Sequence, residues 1–285
     1  RETSVTDLVK HLTLDTIDNC LQYISIKRRR KRSDKINIKS KTRQKYGYEN
    51  VSEITGTAIP AYFEYKLKKT MNIYNLLGFG ISYKSKGNCL TVGDDYAFIS
   101  DDEDEHTDTI NSQSNERDLS NLNLDKITSF ELLYLANKWA SFKNGFIFKL
   151  EQIDNYNWLD DNKLNLCINR LFNLGISQKA QFEIKSEIEN KQELFNRKIV
   201  GYFDCVDGNN LYEFKCVSML KKEHILQLAL YAYLDYQLNE ERASHHKYFL
   251  YNILTDEMLE IITDKDKLEN MVNYLIYTKY FVGKK

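Results

Sequence analysis

Residues 199–217 read Ile-Val-Gly-Tyr-Phe-Asp-Cys-Val-Asp-Gly-Asn-Asn-Leu-Tyr-Glu-Phe-Lys-Cys-Val, and this stretch decides the fold. Asp207-Gly208-Asn209-Asn210 is turn chemistry between two runs of β-branched, aromatic and apolar residues. It predicts an antiparallel hairpin with strands over 199–206 and 211–217 and a four-residue loop. With Val206 facing Leu211, Asp204 falls opposite Glu213 and Tyr202 opposite Lys215, and facing side chains have Cβ atoms about 5 Å apart. One face then carries two carboxylates and an ammonium. The other carries Phe203, Cys205, Tyr212, Phe214 and Cys216 and packs on a core.

Carboxylates that close together repel unless a cation lies between them. Mg²⁺ prefers oxygen ligands, keeps several waters and takes one or two carboxylates together with substrate phosphates. Asp204, Glu213 and the backbone carbonyl of Phe214 therefore form a candidate metal set. Lys215, two residues past Glu213 on the same face, can hold an attacking water and stabilise negative charge on a phosphate. The competing reading is a half-exposed hairpin with a merely charged outer face. Downstream, His224, Gln227 and Tyr231 share one stripe of a helix while Leu226, Leu230, Tyr233 and Leu234 form an apolar one, so the polar stripe can face the hairpin. Gln227 and Tyr231 can instead be hydrogen-bonding groups of a core helix. His224 reads as a capping or surface group, or at most as a support for the site.

Gly201-x-x-Asp204, Glu213-x-Lys215 and Gln227-x-x-x-Tyr231, in this order and at this spacing, resemble the PD-(D/E)XK nuclease superfamily and, within it, the RecB-like branch. The resemblance implies a restriction-endonuclease-like α-β-β-β-α-β core, Mg²⁺ or Mn²⁺ as cofactor and DNA as substrate. It makes Asp204 and Glu213 metal ligands, Lys215 the catalytic lysine, and Gln227 and Tyr231 helix residues that position the site or the DNA. Phe203 stands where a proline often precedes the aspartate, which leaves the metal chemistry intact. The branch usually brings a further acid or histidine from an upstream helix introduced by a glycine. Here that segment is Gly-Thr-Ala-Ile-Pro-Ala-Tyr-Phe-Glu at 56–64, with Pro60 in the histidine's place. Glu64, one turn further, is the candidate metal ligand, against an exposed helical glutamate. Glu183 or Glu187, in the alternating segment 182–188, is a second source, and the sequence leaves the choice open.

Ser-Val-Thr-Asp-Leu-Val-Lys-His-Leu at 4–12 resembles the start of the C-terminal nuclease domains of UvrD/Rep-type superfamily 1 helicases. Segments 56–64 and 152–158 resemble those of helicase-linked nucleases of large DNA viruses. This implies a helicase domain or subunit as partner, a role in recombination, repair or replication, and a nuclear, cytoplasmic or viral replication compartment. No Gly-x-x-x-x-Gly-Lys-Ser/Thr phosphate loop occurs in the 285 residues, so a motor would have to lie outside them. The alternative function is a catalytically inactive nuclease fold kept as a DNA-binding or scaffolding module.

A chain of 285 residues can bury a large core, and a single α/β domain with a central mixed sheet flanked by helices is expected, its catalytic core in 180–285. No run approaches a membrane span, and no signal-peptide pattern opens the chain. The missing initial methionine suggests a fragment or processed form. Cysteines at 20, 89, 167, 205 and 216 do not form a disulfide framework and suit a reducing compartment. The iron–sulfur variant of the branch needs three cysteines near the C-terminus, and none follows Cys216.

The net charge of −1 conceals a separation along the chain. Residues 27–45 hold eleven lysines and arginines against Asp34 alone. This reads as a basic arm in which Lys27, Arg28, Arg29, Arg30, Lys31 and Arg32 contact DNA phosphates. Its rivals are a nuclear-localisation signal and a solvated loop. Residues 94–108 hold eight acids, and 94–118 reads as an acidic flexible insertion. Helices are expected from Ser4 or Thr6 to about residue 25 and over 52–77, 129–142, 159–174 and 264–280, with further strands over 246–254 and 257–262.

Overall fold

The computed structural model describes residues 2–44, 47–77, 122–144, 150, 152–191 and 197–282, so the acidic segment 94–118 lies outside the described residues. Along the chain run β1 (Glu2–Ser4), α1 (Val5–Val9), α2 (Leu14–Leu21), β2 (Ser25–Arg30), β3 (Lys41–Gln44), β4 (Gly47–Asn50), α3 (Ser52–Lys68), α4 (Asn72–Leu76), α5 (Ser129–Asn144) and α6 (Asp161–Phe172). They are followed by β5 (Gln181–Lys191), β6 (Arg197–Asp207), β7 (Asn210–Lys215), α7 (Lys222–Leu238), α8 (Glu240–Ala243), β8 (Lys247–Asn252), β9 (Glu257–Ile262) and α9 (Lys265–Tyr277). The main sheet has the order β1-β6-β7-β8-β9-β2, with β5 also on β6, while β3 and β4 form a separate ribbon. Pairing is parallel for β1 with β6 and for β7 with β8 and antiparallel elsewhere in the sheet, which makes it mixed.

The hairpin forms in the expected register, with Val206 against Leu211 and Cys205 against Tyr212. Its loop is shorter than expected. Asp207 pairs with Asn210, so only Gly208 and Asn209 turn the chain, and Gly208 takes φ +59°, where a side chain would be strained. Pairing with β7 covers Cys205, Val206 and Asp207, whereas the other end of β6, at Lys198, Ile199 and Val200, pairs with β1. Between these two patches the sheet forks, at Gly201–x–x–Asp204.

Helices cover both faces. α3, α5 and α6 pack against Phe182, Cys205, Tyr212, Phe214, Phe249 and Tyr251; α1, α2, α7 and α9 pack against Ile188, Ile199, Phe203, Leu211, Tyr248 and Leu250. Phe203 and Cys205 were expected on one face, but they enter opposite cores. The reason lies on the neighbouring strand, where Phe182 sides with Cys205, Ile184 sides with Phe203, and Glu183 between them has φ +51°. A left-handed residue in one strand rotates the residues after it, so strict alternation fails at this point.

Two expected helices are each divided. Ser4 caps α1 through Asp7 N–H at 3.0 Å, Thr13 caps α2 through Thr16 N–H at 3.2 Å, and His11 at φ +61° separates them. α3 runs through Pro60 and stops at Lys69, whose φ of +59° ends the helix before α4. The basic run is not an arm: Ser25–Arg30 is an edge strand antiparallel to β9, with Lys27 across from Glu260 and Arg28 across from Leu259. No described helix is long and apolar enough to cross a membrane.

Candidate active site

The fork brings Asp204, Glu213, Lys215, Gln227 and Tyr231 together. Asp204 sits where β6 leaves β7, and its Oδ2 accepts the Phe214 N–H at 2.6 Å instead of a ladder bond. Glu213 and Lys215 follow on β7, two residues apart and on one face. The Lys215 ammonium donates to Glu213 Oε1 at 2.7 Å and to Gln227 Oε1 at 2.9 Å, and Gln227 Nε2 donates to the Tyr231 hydroxyl at 3.1 Å. The amide is thereby oriented by its two partners. Gly201 makes room for this helix: a Cβ there would lie 2.6 Å from Tyr231 Cε1 and 2.9 Å from Leu234 Cδ1.

The electrostatics follow from burial. Loss of water, then Glu213 and Glu183, push the Asp204 carboxyl well above the usual carboxylate range, against the pull of Lys215 and the Phe214 N–H. Burial favours a neutral Lys215, yet Glu213 and Asp204 hold its pKa above the ordinary lysine value, so it remains an ammonium. Tyr231 is raised by burial and then by Glu213 and Asp204, and stays a phenol. Glu213 Oε2 is buried without a hydrogen-bond partner. An acidic centre with an orphaned carboxylate oxygen and a fixed ammonium suits an anionic substrate and a hard cation.

No family model, curated protein or solved structure matches this chain. What the site can do rests on its own residues.

The remaining acids differ in their surroundings. Glu187 lies 2.5 Å from Lys185 and 3.1 Å from Lys198, taken up in ion pairs. Glu183 raises the pKa of both Asp204 and Tyr231, which puts its charge beside the fork. Glu64 is buried, not exposed, and its Oε2 accepts the Asn72 N–H at 2.9 Å, joining α3 to α4. Burial first, then Glu183, push Glu64 up to about 7, against Asn72 and Lys68. Among the described residues, no three His, Cys, Asp or Glu side chains converge to hold a metal ion. Two carboxylates and a main-chain carbonyl nevertheless suffice for a cation that keeps its waters.

His224 is the capping group: its Nδ1 accepts the Lys221 N–H at 3.1 Å, and burial, then Lys215, lower its pKa to about 4. The arginines assigned to DNA are engaged elsewhere. Arg29 pairs with the buried Glu260, Arg30 lies 2.6 Å from Asp256, Arg28 lies 3.5 Å from Glu257, and Arg32 donates to the Ser218 carbonyl at 3.1 Å. Asn252 was not anticipated. Its side chain accepts the Val217 N–H at 3.2 Å and donates to the Val217 carbonyl at 2.8 Å, fixing the loop after Lys215. A lone asparagine in a strand gives no local signal of that role.

Proposed function

We propose that this chain is a Mg²⁺- or Mn²⁺-dependent DNA nuclease domain of the RecB-like PD-(D/E)XK type, hydrolysing phosphodiester bonds beside a helicase in recombination, repair or replication. The observation that carries the reading is the Lys215 ammonium, held by Glu213 and Gln227 next to Asp204 at the fork. The element order α6-β5-β6-β7-α7-β8 supports it, because the restriction-endonuclease-like core has the same α-β-β-β-α-β succession.

Asp204, Glu213 and the Phe214 carbonyl would hold the cation, and Glu213 Oε2, buried and unpartnered, is the oxygen it would take up. Bound there, it would lower the pKa of a water and offset phosphate charge. Lys215 stays protonated and offers its remaining N–H to the attacking water or to a phosphate oxygen. Gln227 fixes the ammonium, and Tyr231 fixes Gln227. Because Asp204 binds a proton more readily than usual, affinity for a cation rises as pH rises.

Single-turnover cleavage of linear, circular and single-stranded DNA in Mg²⁺ or Mn²⁺ tests the reading. Lys215→Arg keeps metal affinity but loses at least about a hundredfold in rate, since a planar guanidinium does not replace a compact ammonium. Asp204→Ala and Glu213→Ala lose Mn²⁺ binding in calorimetry together with cleavage. Cleavage by Lys215→Ala at the parental rate sinks the mechanism. The second reading, a silent nuclease fold that binds DNA, draws on Glu64 being committed to Asn72, and an inactive parent protein would favour it.

A further inference from the structure

Beyond the C-terminal ends of β7 and β8 lies a cleft of about 230 Å³. Lys35 and Lys39 stand on one wall, Ser218 and Lys221 on the other, and Ile38 and Met219 give it apolar surface. Its lining contains no aspartate or glutamate, and among the described residues none of the three lysines has a carboxylate partner. Lys35 and Lys39 are thus free of a carboxylate partner among the described residues, unlike Arg28, Arg29 and Arg30, which pair with Glu257, Glu260 and Asp256.

Both walls are pinned. Ile36 N–H donates to the Leu254 carbonyl at 2.8 Å, and Arg170 donates to the carbonyls of Leu254 and Asp34, each at 2.6 Å. The opposite wall is held by Asn252 and Arg32. A cleft built this way is cationic and preorganised. It also adjoins the proposed site, because Cys216 in its lining comes directly after Lys215, and His224 precedes Gln227 by one helical turn.

We infer that this cleft holds the phosphate and sugar of a single polynucleotide strand next to the bond to be cut. Its lysines meet the phosphodiester, and its apolar surface meets the sugar and base. The volume admits one strand, whereas a duplex reaches only the rim. The inference rests on the nuclease reading, since it takes the strand in the cleft as the one cleaved.

The test is anisotropy of a labelled oligodeoxythymidine in EDTA, over a salt series, using the full chain. Lys35→Ala/Lys39→Ala/Lys221→Ala should weaken single-strand binding roughly tenfold and flatten the slope of log affinity against log salt by about two, three contacts at about 0.7 each. Lys163→Ala/Lys265→Ala/Lys267→Ala, the same charge loss elsewhere, should bind like the parent, and duplex affinity should fall less than single-strand affinity. Unchanged binding by the cleft variant, an equal fall for duplex, or displacement of the oligonucleotide by equimolar inorganic phosphate would overturn the inference. Because EDTA removes any metal, the two readings separate. Weakened binding beside a parent that cleaves nothing supports the cleft as a strand site and sinks the nuclease reading; intact binding beside active cleavage sinks the cleft alone.

Discussion

Gly201 lacks a side chain because the Tyr231 ring occupies the place where one would go. Alanine there meets an aromatic ring that is itself buried, so the contact is relieved only by moving α7 outward. Overpacking of this kind costs about 1–3 kcal/mol and shifts the backbone. Gly201→Ala should lower the melting temperature by several degrees and also slow cleavage, because Gln227 and Tyr231 move with the helix. An alanine protein with parental melting and activity would show that the close approach is dispensable. That Asp204, Glu213, Lys215, Gln227 and Tyr231 come together was legible from the hairpin register and from spacing, for two residues along a strand and four along a helix each return to one side. Glu183 was one of three acids, with Glu64 and Glu187, among which the sequence left the choice open. The backbone bend at this position, a φ of +51° at a glutamate, was not legible, because no glycine or asparagine marks it.

At the scale of elements, the hairpin could be read because its turn is local. β2 could not. Lys-Arg-Arg-Arg has none of the alternation or β-branching of a strand, and what stabilises it is a matching acidic set, Asp256, Glu257 and Glu260, far along the chain. Charge on an edge strand also discourages pairing with another molecule. Glu260 is almost fully buried, while Arg29 keeps 35% of its side-chain surface exposed. Arg29→Ala therefore leaves a carboxylate without its partner, at a cost of about 3 kcal/mol, the low end for a broken buried pair. Urea unfolding should register that loss, and Glu260→Gln in the same chain should recover part of it. Equal stability of the single variant and the parent would return the arginines to the role of a free basic surface.

For the molecule as a whole, Glu64 couples stability to pH. Its carboxyl titrates near 7 in the folded protein and at about 4.5 unfolded, so the folded state binds the proton more tightly. That contribution is complete below about pH 4.5 and disappears as pH rises through about 7. In EDTA, unfolding free energy should fall by roughly 2–3 kcal/mol between these limits on this account, and Glu64→Gln should flatten the profile. A variant with the parental slope would assign the dependence to other groups.

The join between β1 and β6 governs when the fork can exist. Thr3 pairs with Ile199, and Lys279 donates to the carbonyls of Leu8 and Lys10, each at 2.9 Å. Contacts between such distant parts of a chain are slow to form, because loop closure precedes any gain from pairing. During synthesis the first strand must wait for a partner made about two hundred residues later, and the latch at its back comes later still. The hairpin can bring Asp204, Glu213 and Lys215 together from local contacts, whereas the β1 side of the fork is added only when Thr3 and Ile199 meet.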